Sequence, residues 1–405
     1  MIHSLAIQNF SSFHEPTLVE FTAGIKAGDR DIFLESTQPG VSVNSVTGIF
    51  GPNASGKTNL LKAIAFLRYF IVDSASEKPD AKIAVEAFHF VEGAAERHEP
   101  ILFRLEFEYE TKLYRYEVEF DHQRVQFEAL YRKDQRFRYL FERSWNMVEC
   151  DYDLKAQDIG PTKQIAQREN ASFIASAVLQ EHAFAKYISG YFKTCYVNVH
   201  ILGRMTTHDP EFMNVLDASD YFSEHQDYLA DAIKHIAHAD TGISSIDLDP
   251  IKRMDPQGKE QEVLFPMARH TVAGVDYKRP LLAESRGTQA LFVLLRYILP
   301  VLETGGVAVI DEFETGLHSH VVKYVVELFY SKTTNPKAAQ LIANFHTDYL
   351  LQSTLEKYQI VFTEKNPATQ STEAWRLDKV KGAARNTNNH YAKYHAGAYG
   401  GIPNL

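Results

Sequence analysis

Cysteine is almost missing from this 405-residue chain: Cys150 and Cys195 are the only two. So few thiols rule out a disulfide framework and a structural zinc site, and they suit a reducing compartment such as the cytoplasm. No apolar run nears the roughly 20 residues that cross a bilayer, so no membrane partner is expected. Met1-Ile2-His3-Ser4-Leu5 lacks a basic stretch followed by an apolar one, and no signal peptide is expected. Positive charge is in deficit as well. With 42 Lys and Arg against 52 Asp and Glu, the net charge is −10, which argues against an overall basic nucleic-acid binder while leaving a local basic face open. There is no internal repeat and no sustained heptad, so long coiled-coil arms are not expected.

The remaining composition is that of a globular protein: 45% hydrophobic and 23% charged, with length for two to three domains. Its most informative stretch is Gly51-Pro52-Asn53-Ala54-Ser55-Gly56-Lys57-Thr58, a complete G-x-x-x-x-G-K-[ST] phosphate loop. A β-rich run from Val41 to Phe50 precedes it. Leu60, Leu61, Ile64, Leu67 and Phe70 then fall on one helical face. Strand, loop and helix are the context this chemistry needs. Gly51 and Gly56 let the backbone curl its N–H groups toward phosphate oxygens, and the helix adds the positive end of its dipole. Asn53, Ala54, Ser55, Gly56, Lys57, Thr58 and Asn59 are thus candidate nucleotide contacts. Lys57 would reach the β- and γ-phosphates, and Thr58 would hold Mg²⁺.

Residues 1–50 read as antiparallel strands laid down before the nucleotide-binding strand. Around 105–127, Leu105, Phe107 and Tyr109, then Tyr114, Tyr116, Val118 and Phe120, alternate with polar residues as in a β-meander, with turns at Glu110-Thr111-Lys112 and Asp121-His122. Arg132, Lys133, Arg136, Arg138 and Arg143 follow, interleaved with Phe137 and Tyr139. This cluster reads as the solvated face of a strand pair or, more sharply, as a nucleic-acid surface. Helical patterning dominates from about 160 to 240. Further on, Gly306 to Glu312 is an apolar strand ending in two acids. Asp311 would hold the Mg²⁺ water shell, and Glu312 would polarise the attacking water. Ser285 is a good N-cap for the apolar helix that follows, and Gly287 allows close backbone approach. Gln340 to Phe345 reads as one more buried strand, ending at His346. His318, His320 and His346 could suggest a metal site, but Mg²⁺ prefers oxygen ligands and no cysteine supports zinc.

The order of these motifs resembles the ATP-binding-cassette ATPases of the RecF, SMC and OLD-nuclease-like branch, and more closely the stand-alone OLD-type AAA ATPases of bacterial anti-phage and abortive-infection systems. The likeness runs from Ile7-Gln8-Asn9-Phe10-Ser11-Ser12-Phe13 through Tyr114-Arg115-Tyr116 and His238-Ala239-Asp240-Thr241-Gly242-Ile243 to Tyr399-Gly400-Gly401-Ile402-Pro403. It implies an α/β fold: an ABC-type ATPase head, with a mixed sheet carrying the phosphate loop plus an antiparallel β-subdomain, and an inserted helical lobe. The expected division is 1–150, the N-terminal lobe; 151–245, the helical insertion; and 246–405, the C-terminal lobe. It also implies that Ser285, Gly287 and Thr288 of one subunit complete the ATP site of another, that Glu314 to His318 pass between the sites, and that His346 is a switch histidine. The implied assembly is a homodimer or higher homo-oligomer closed through its ATP sites. The chain departs from the pattern at Arg286 and Thr288, where Gly and Gln are usual, and at Ser11, where relatives often carry a basic residue. Full OLD nucleases carry a Toprim domain beyond the strand-end histidine. Here roughly 60 residues follow His346, so the expected effector, a nuclease, is a separate polypeptide. The alternative is a RecF/SMC-like repair ATPase that clamps DNA.

Overall fold

The computed structural model describes residues 1–23, 32–90, 99–121, 123–162, 164–199, 210–239, 242–254, 260–383 and 389–402. Of the residues named above, His122, Asp240, Thr241 and Pro403 lie outside that set.

The chain opens with β1 (Ile2–Gln8), β2 (Thr17–Glu20), β3 (Thr22–Ala23), β4 (Phe33–Glu35), β5 (Ser42–Asn44) and β6 (Val46–Phe50), and then forms α1 (Lys57–Val72). The meander is β7 (Ile101–Tyr109), β8 (Lys112–Phe120), β9 (Val125–Lys133), β10 (Phe137–Asn146) and β11 (Asp151–Ala156). Next come α2 (Phe173–Leu179), α3 (Ala183–Lys193), β12 (Cys195–Val197), α4 (Pro210–Glu224) and α5 (Gln226–His238). The rest is β13 (Ser245–Met254), β14 (Glu260–Val272), β15 (Val275–Pro280), α6 (Arg286–Thr304), β16 (Val307–Ile310), α7 (Ser319–Glu327), β17 (Gln340–Asn344), β18 (Ile360–Lys365), β19 (Thr372–Arg376) and α8 (Tyr391–His395).

Among the described residues two sheets set the architecture. The central one has the order β12-β16-β17-β6-β18-β19 and is parallel except where β19 pairs antiparallel with β18. The other is antiparallel, in the order β11-β10-β9-β8-β7-β1-β2. This is the α/β arrangement expected, a mixed sheet beside an antiparallel one. The central strands are short apolar runs because both their faces are covered. Side chains alternate across a strand, so neighbours go to opposite cores. Ile49, Val307, Val309, Ile342 and Val361 pack with α1, α2, α3 and the antiparallel sheet. Phe50, Ala308, Ile310, Leu341, Ala343, Ile360 and Phe362 pack with α4 to α7. Within the first core Phe66 of α1 stacks on Phe103 and Phe70 on Phe120, with ring centroids 5.4 and 5.7 Å apart. Each such ring buried is worth roughly 1.5–3 kcal/mol, so α1 is anchored firmly under the phosphate loop.

The stretch 151–245 holds α2 to α5 but also β11 and β12, and β12 pairs with β16 in the central sheet. Cys195-Tyr196-Val197 is too short to reveal itself by periodicity. The basic cluster needs a correction. Arg143 is fully buried, ion-paired to Glu128 directly across the β9–β10 ladder at 2.7 Å. It therefore belongs neither to a solvated face nor to a nucleic-acid surface. Arg132 pairs with Asp134 at 3.3 Å.

Candidate functional site

The phosphate loop turns between β6 and α1, and β18 and β19 pass so close behind it that only glycine fits at two positions. A Cβ on Gly51 would lie 2.2 Å from the Thr363 carbonyl oxygen, and one on Gly56 would lie 2.3 Å from Thr372 Oγ1. Both glycines also take left-handed φ angles, +151° and +105°. Ser55 is buried and bonds Thr363 Oγ1 at 2.7 Å; Thr372 Oγ1 donates to the Ser55 carbonyl at 3.0 Å. Ser12 Oγ accepts from Asn59 Nδ2 at 2.8 Å and from Thr372 Oγ1 at 2.7 Å, tying the N-terminal turn to the loop. Asn53 and Ala54 are exposed at its tip. Gly56 caps α1 without a side-chain acceptor, so the first-turn N–H groups point outward at an anion site. Lys57 is buried and donates to the carbonyls of Gly51, 2.7 Å, and Pro52, 2.9 Å. Burial pushes the Lys57 ammonium below its usual pKa, and the charges of Glu314, Asp311 and Glu312 partly offset that.

The acid strand delivers its residues to the same place. Thr58 Oγ1 donates to Asp311 at 3.0 Å to Oδ1 and 3.3 Å to Oδ2, across 253 residues of sequence. Hydroxyl and carboxylate oxygens side by side are the donor set a hard divalent cation takes, so these residues fit Mg²⁺. Asn344, at the end of β17, donates through Nδ2 to Asp311 Oδ1 and accepts through Oδ1 from the Glu312 N–H. Glu312 has φ +51°, a strained value for a non-glycine residue that this bond helps to hold. Asn198, just after β12, clamps the Asp311 main chain from the other side, accepting from its N–H at 2.7 Å and donating to its carbonyl at 3.0 Å. Thr315 Oγ1 donates to Glu312 Oε2 at 3.2 Å. Glu314 Oε1 accepts from the backbone N–H groups of His346 and Thr347.

Lys57, Thr58, Asp311, Glu312 and Asn344 thus gather in one place, with His346 held to it through Glu314. Ser285, Gly287 and Thr288 stand apart. Ser285 caps α6, its Oγ accepting from the Thr288 N–H at 3.1 Å and meeting Thr288 Oγ1 at 2.9 Å. No hydrogen bond among the described residues joins them to the phosphate loop. A Cβ on Gly287 would come within 2.8 Å of the Gly316 carbonyl, so the start of α6 abuts this chain's own post-acid loop. A cleft of about 220 Å³ runs between α4, α6 and the end of β16, lined among others by Asn198, Gln289, Tyr297, Glu312 and Thr315. Among the described residues, no group of three or more His, Cys, Asp or Glu side chains could hold a metal ion. No described helix is long and apolar enough to cross a membrane.

Sequence reasoning missed Asn198, Thr363 and Thr372 and gave Asn344 no role. None belongs to a motif. Only for Asn344 was there a signal, a polar residue closing an otherwise apolar strand.

Solved structures similar to this chain include an SmcHead bound to the C-winged helix domain of ScpA, 14% identical with TM-score 0.44 over 93% of this chain and 97% of that one. Another is the SMC head domain from Thermotoga maritima, 13% identical with TM-score 0.40 over 93% and 98%. A third is an Smc head domain with an extended coiled coil, bound to the C-terminal domain of ScpA derived from Pyrococcus furiosus, 13% identical with TM-score 0.38 over 93% and 96%. No curated protein matches. Residues 46–352, which is 307 of the 405, match the family described as "AAA domain, putative AbiEii toxin, Type IV TA system". The stretch takes in the phosphate loop, both acids, the α6 start and His346, and the chain belongs to that AAA-domain family.

Proposed function

We propose that this protein binds and hydrolyses ATP with Mg²⁺, acting as a dimer or higher oligomer whose nucleotide state controls a separate effector. The observation that carries the reading is the Thr58–Asp311 contact with Asn344 bridging Asp311 to Glu312, because it sets a cation-binding pair beside a candidate base at the mouth of a phosphate loop.

In this scheme Lys57 and the first-turn N–H groups of α1 bind the triphosphate, and Gly51 to Ser55 wrap it. Thr58 and Asp311 would hold Mg²⁺, which would supply charge neutralisation for the phosphate groups. Glu312 accepts the proton of the attacking water as the water oxygen bonds to the γ-phosphorus. The bond from that phosphorus to the β,γ-bridging oxygen breaks, and ADP departs with the electron pair. His346 lies at the strand end where the γ-phosphate would face it. Ser285, Gly287 and Thr288 act on the nucleotide of a second copy: the hydroxyl-capped start of α6 is an exposed helix N-terminus. The assembly would be isologous, two ATP molecules lying in its interface. The family description, with its toxin and toxin–antitoxin terms, favours a place in a bacterial defence or abortive-infection system, with a nuclease as the effector. The DNA-clamp alternative is weaker, since Arg143 is buried and Arg132 is ion-paired.

Two variants test the scheme. Lys57→Ala is expected to abolish ATP binding in calorimetry. Glu312→Gln is expected to bind ATP normally, lose about 10²-fold or more in kcat, and accumulate as an ATP-bound oligomer in light scattering. Wild-type turnover by Glu312→Gln would overturn the base assignment. Full specific activity from a protomer that stays monomeric with ATP would overturn the shared site.

A further inference from the structure

The antiparallel sheet of β13, β14 and β15 has two unlike faces. Its register pairs Ala268 with Arg279, His270 with Tyr277 and Val272 with Val275 on one face, and Arg269 with Lys278 and Thr271 with Asp276 on the other. The second face is charged and satisfied within itself. Asp247 meets Arg269 at 2.6 Å and Lys278 at 2.7 Å, and Thr271 Oγ1 donates to Asp276 Oδ1 at 2.8 Å. The first face starts in the core, where Ile246 and Ala268 are buried, and runs outward to an apolar end. There Val272 is 59% exposed, Val275 52% and Tyr277 56%. Apolar side chains gathered on one face and bare at its outer end mark a contact surface. Strand addition is not the contact it invites, because Lys278, Arg279 and Pro280 blunt the β15 edge.

The same face is tied to the start of α6. His270 Nε2 lies 3.0 Å from Glu284 Oε1 and Arg279 Nε lies 3.1 Å from it, while Arg279 Nη2 donates to the Ala283 carbonyl at 2.7 Å. Glu284 immediately precedes the cap residue Ser285. Whatever the first turn of α6 meets, the Tyr277 face lies beside it. Three side chains, each about half exposed, offer at most a few hundred Å². That is well short of the roughly 800 Å² per partner that a stable complex buries. The patch is too small to be an interface by itself and reads as the extension of a larger one.

We propose that the β14–β15 hairpin packs its Val272, Val275 and Tyr277 face on a second copy of this chain when nucleotide brings the two together. This rests on the reading of Ser285, Gly287 and Thr288 as the groups that meet the second copy's nucleotide. The α6 start reaches that copy's phosphate loop, and the hairpin, clamped to Glu284, is carried against the same copy. The hydroxyl cap supplies contacts that depend on nucleotide. The apolar face supplies area that leaves water on closure. In an isologous pair each copy makes this contact on the other.

The test uses the full chain carrying Glu312→Gln, which is expected to keep its ATP, and follows self-association with Mg-ATP by sedimentation velocity. Adding Val275→Thr and Tyr277→Thr removes apolar area, keeps residues that suit a strand and introduces no charge. This variant is expected to bind ATP as its parent does in calorimetry, while its dimer dissociation constant rises about 10-fold or more. Asp276→Asn, on the opposite face of the same strand, should leave association within about 2-fold of the parent. Hydroxyl-radical footprinting of Tyr277 in the Glu312→Gln chain needs no change in the hairpin and carries the test if the substituted hairpin does not fold. Mg-ATP should protect the Tyr277 ring from labelling. Labelling that ATP leaves unchanged, or association equal in the parent and the hairpin variant, overturns the proposal and leaves the face to another polypeptide such as the effector. A Glu312→Gln chain that stays monomeric with Mg-ATP would instead strike the shared-site reading, and this inference with it, so the two failures are distinguishable.

Discussion

Asn344 lies outside the phosphate loop, yet its carboxamide joins both acids. Nδ2 donates to Asp311 Oδ1, and Oδ1 accepts from the Glu312 N–H. The residue is buried, so neither group has water as a substitute. Asn344→Leu therefore leaves an unmatched N–H at Glu312 and frees Asp311 to rotate. The expected stability loss is about 1–3 kcal/mol in denaturant unfolding. ATP affinity should change little because the phosphate loop is intact, while misplacement of the acids should lower kcat by about 10²-fold. A loss of affinity with kcat unchanged would contradict this division of labour. Asp311 and Glu312 were legible in the sequence because an apolar run ending in acids is a local pattern. Asn198 was not, because its bonds to Asp311 span 113 residues and exist only once β12 lies beside β16.

Among the elements, β10 shows how alternation carries information that a charge count discards. Its register against β9 shifts between Tyr139 and Phe141, and Leu140 and Phe141 are both buried. Arg143 has the parity of Phe141 and so faces the core, while Arg138 faces solvent. Read by parity, the sequence would have placed Arg143 inside. There it bonds Glu128 through Nε at 2.8 Å and the Ala171 carbonyl through Nη2 at 2.5 Å, and Glu128 in turn accepts from Tyr116 Oη and the Phe173 N–H. These contacts join β8, β9 and β10 to the start of α2. Arg143→Met strands a buried carboxylate, and a loss of about 3–5 kcal/mol is expected in equilibrium unfolding. The phosphate loop is held elsewhere, so ATP affinity of the folded variant should be unchanged. A loss under 1 kcal/mol would mean that Glu128 is satisfied by its other donors.

At the scale of the whole molecule, the antiparallel sheet is tied to the connection between β4 and β5 near the N-terminus. Glu108 of β7 bonds His3 of β1 at 3.0 Å, Ser36 Oγ at 2.6 Å and the Thr37 N–H at 2.9 Å, in the connection toward β5 and β6. Burial alone would raise its pKa, but these bonds outweigh it and hold the carboxyl at about 2, against 4.5 for the free group. A carboxyl with a lowered folded pKa contributes stability above its unfolded value and loses it as pH falls through the folded one. The protein should thus lose stability between pH 4.5 and about 2 through this group, on the order of 1 kcal/mol after solvent screening. Glu108→Gln should flatten that part of the stability-against-pH curve measured by urea unfolding. An unaltered slope would mean that other carboxyls dominate acid unfolding.

Local chemistry was enough to write the phosphate loop, its strand and helix, the acid pair and the Ser285 cap, because each depends on neighbours within a few residues: glycine φ angles, apolar period, a hydroxyl three positions from an N–H. It was enough for the two-layered β organisation too, since buried parallel strands and half-buried antiparallel ones carry different patterns. Folding alone put Thr58 against Asp311, threaded β12 in beside β16, set Asn198 and Asn344 on the acids, and turned Glu314 toward the His346 turn. Those pairings join residues tens to hundreds of positions apart, and no periodicity or spacing encodes a contact that exists only when separate strands lie side by side.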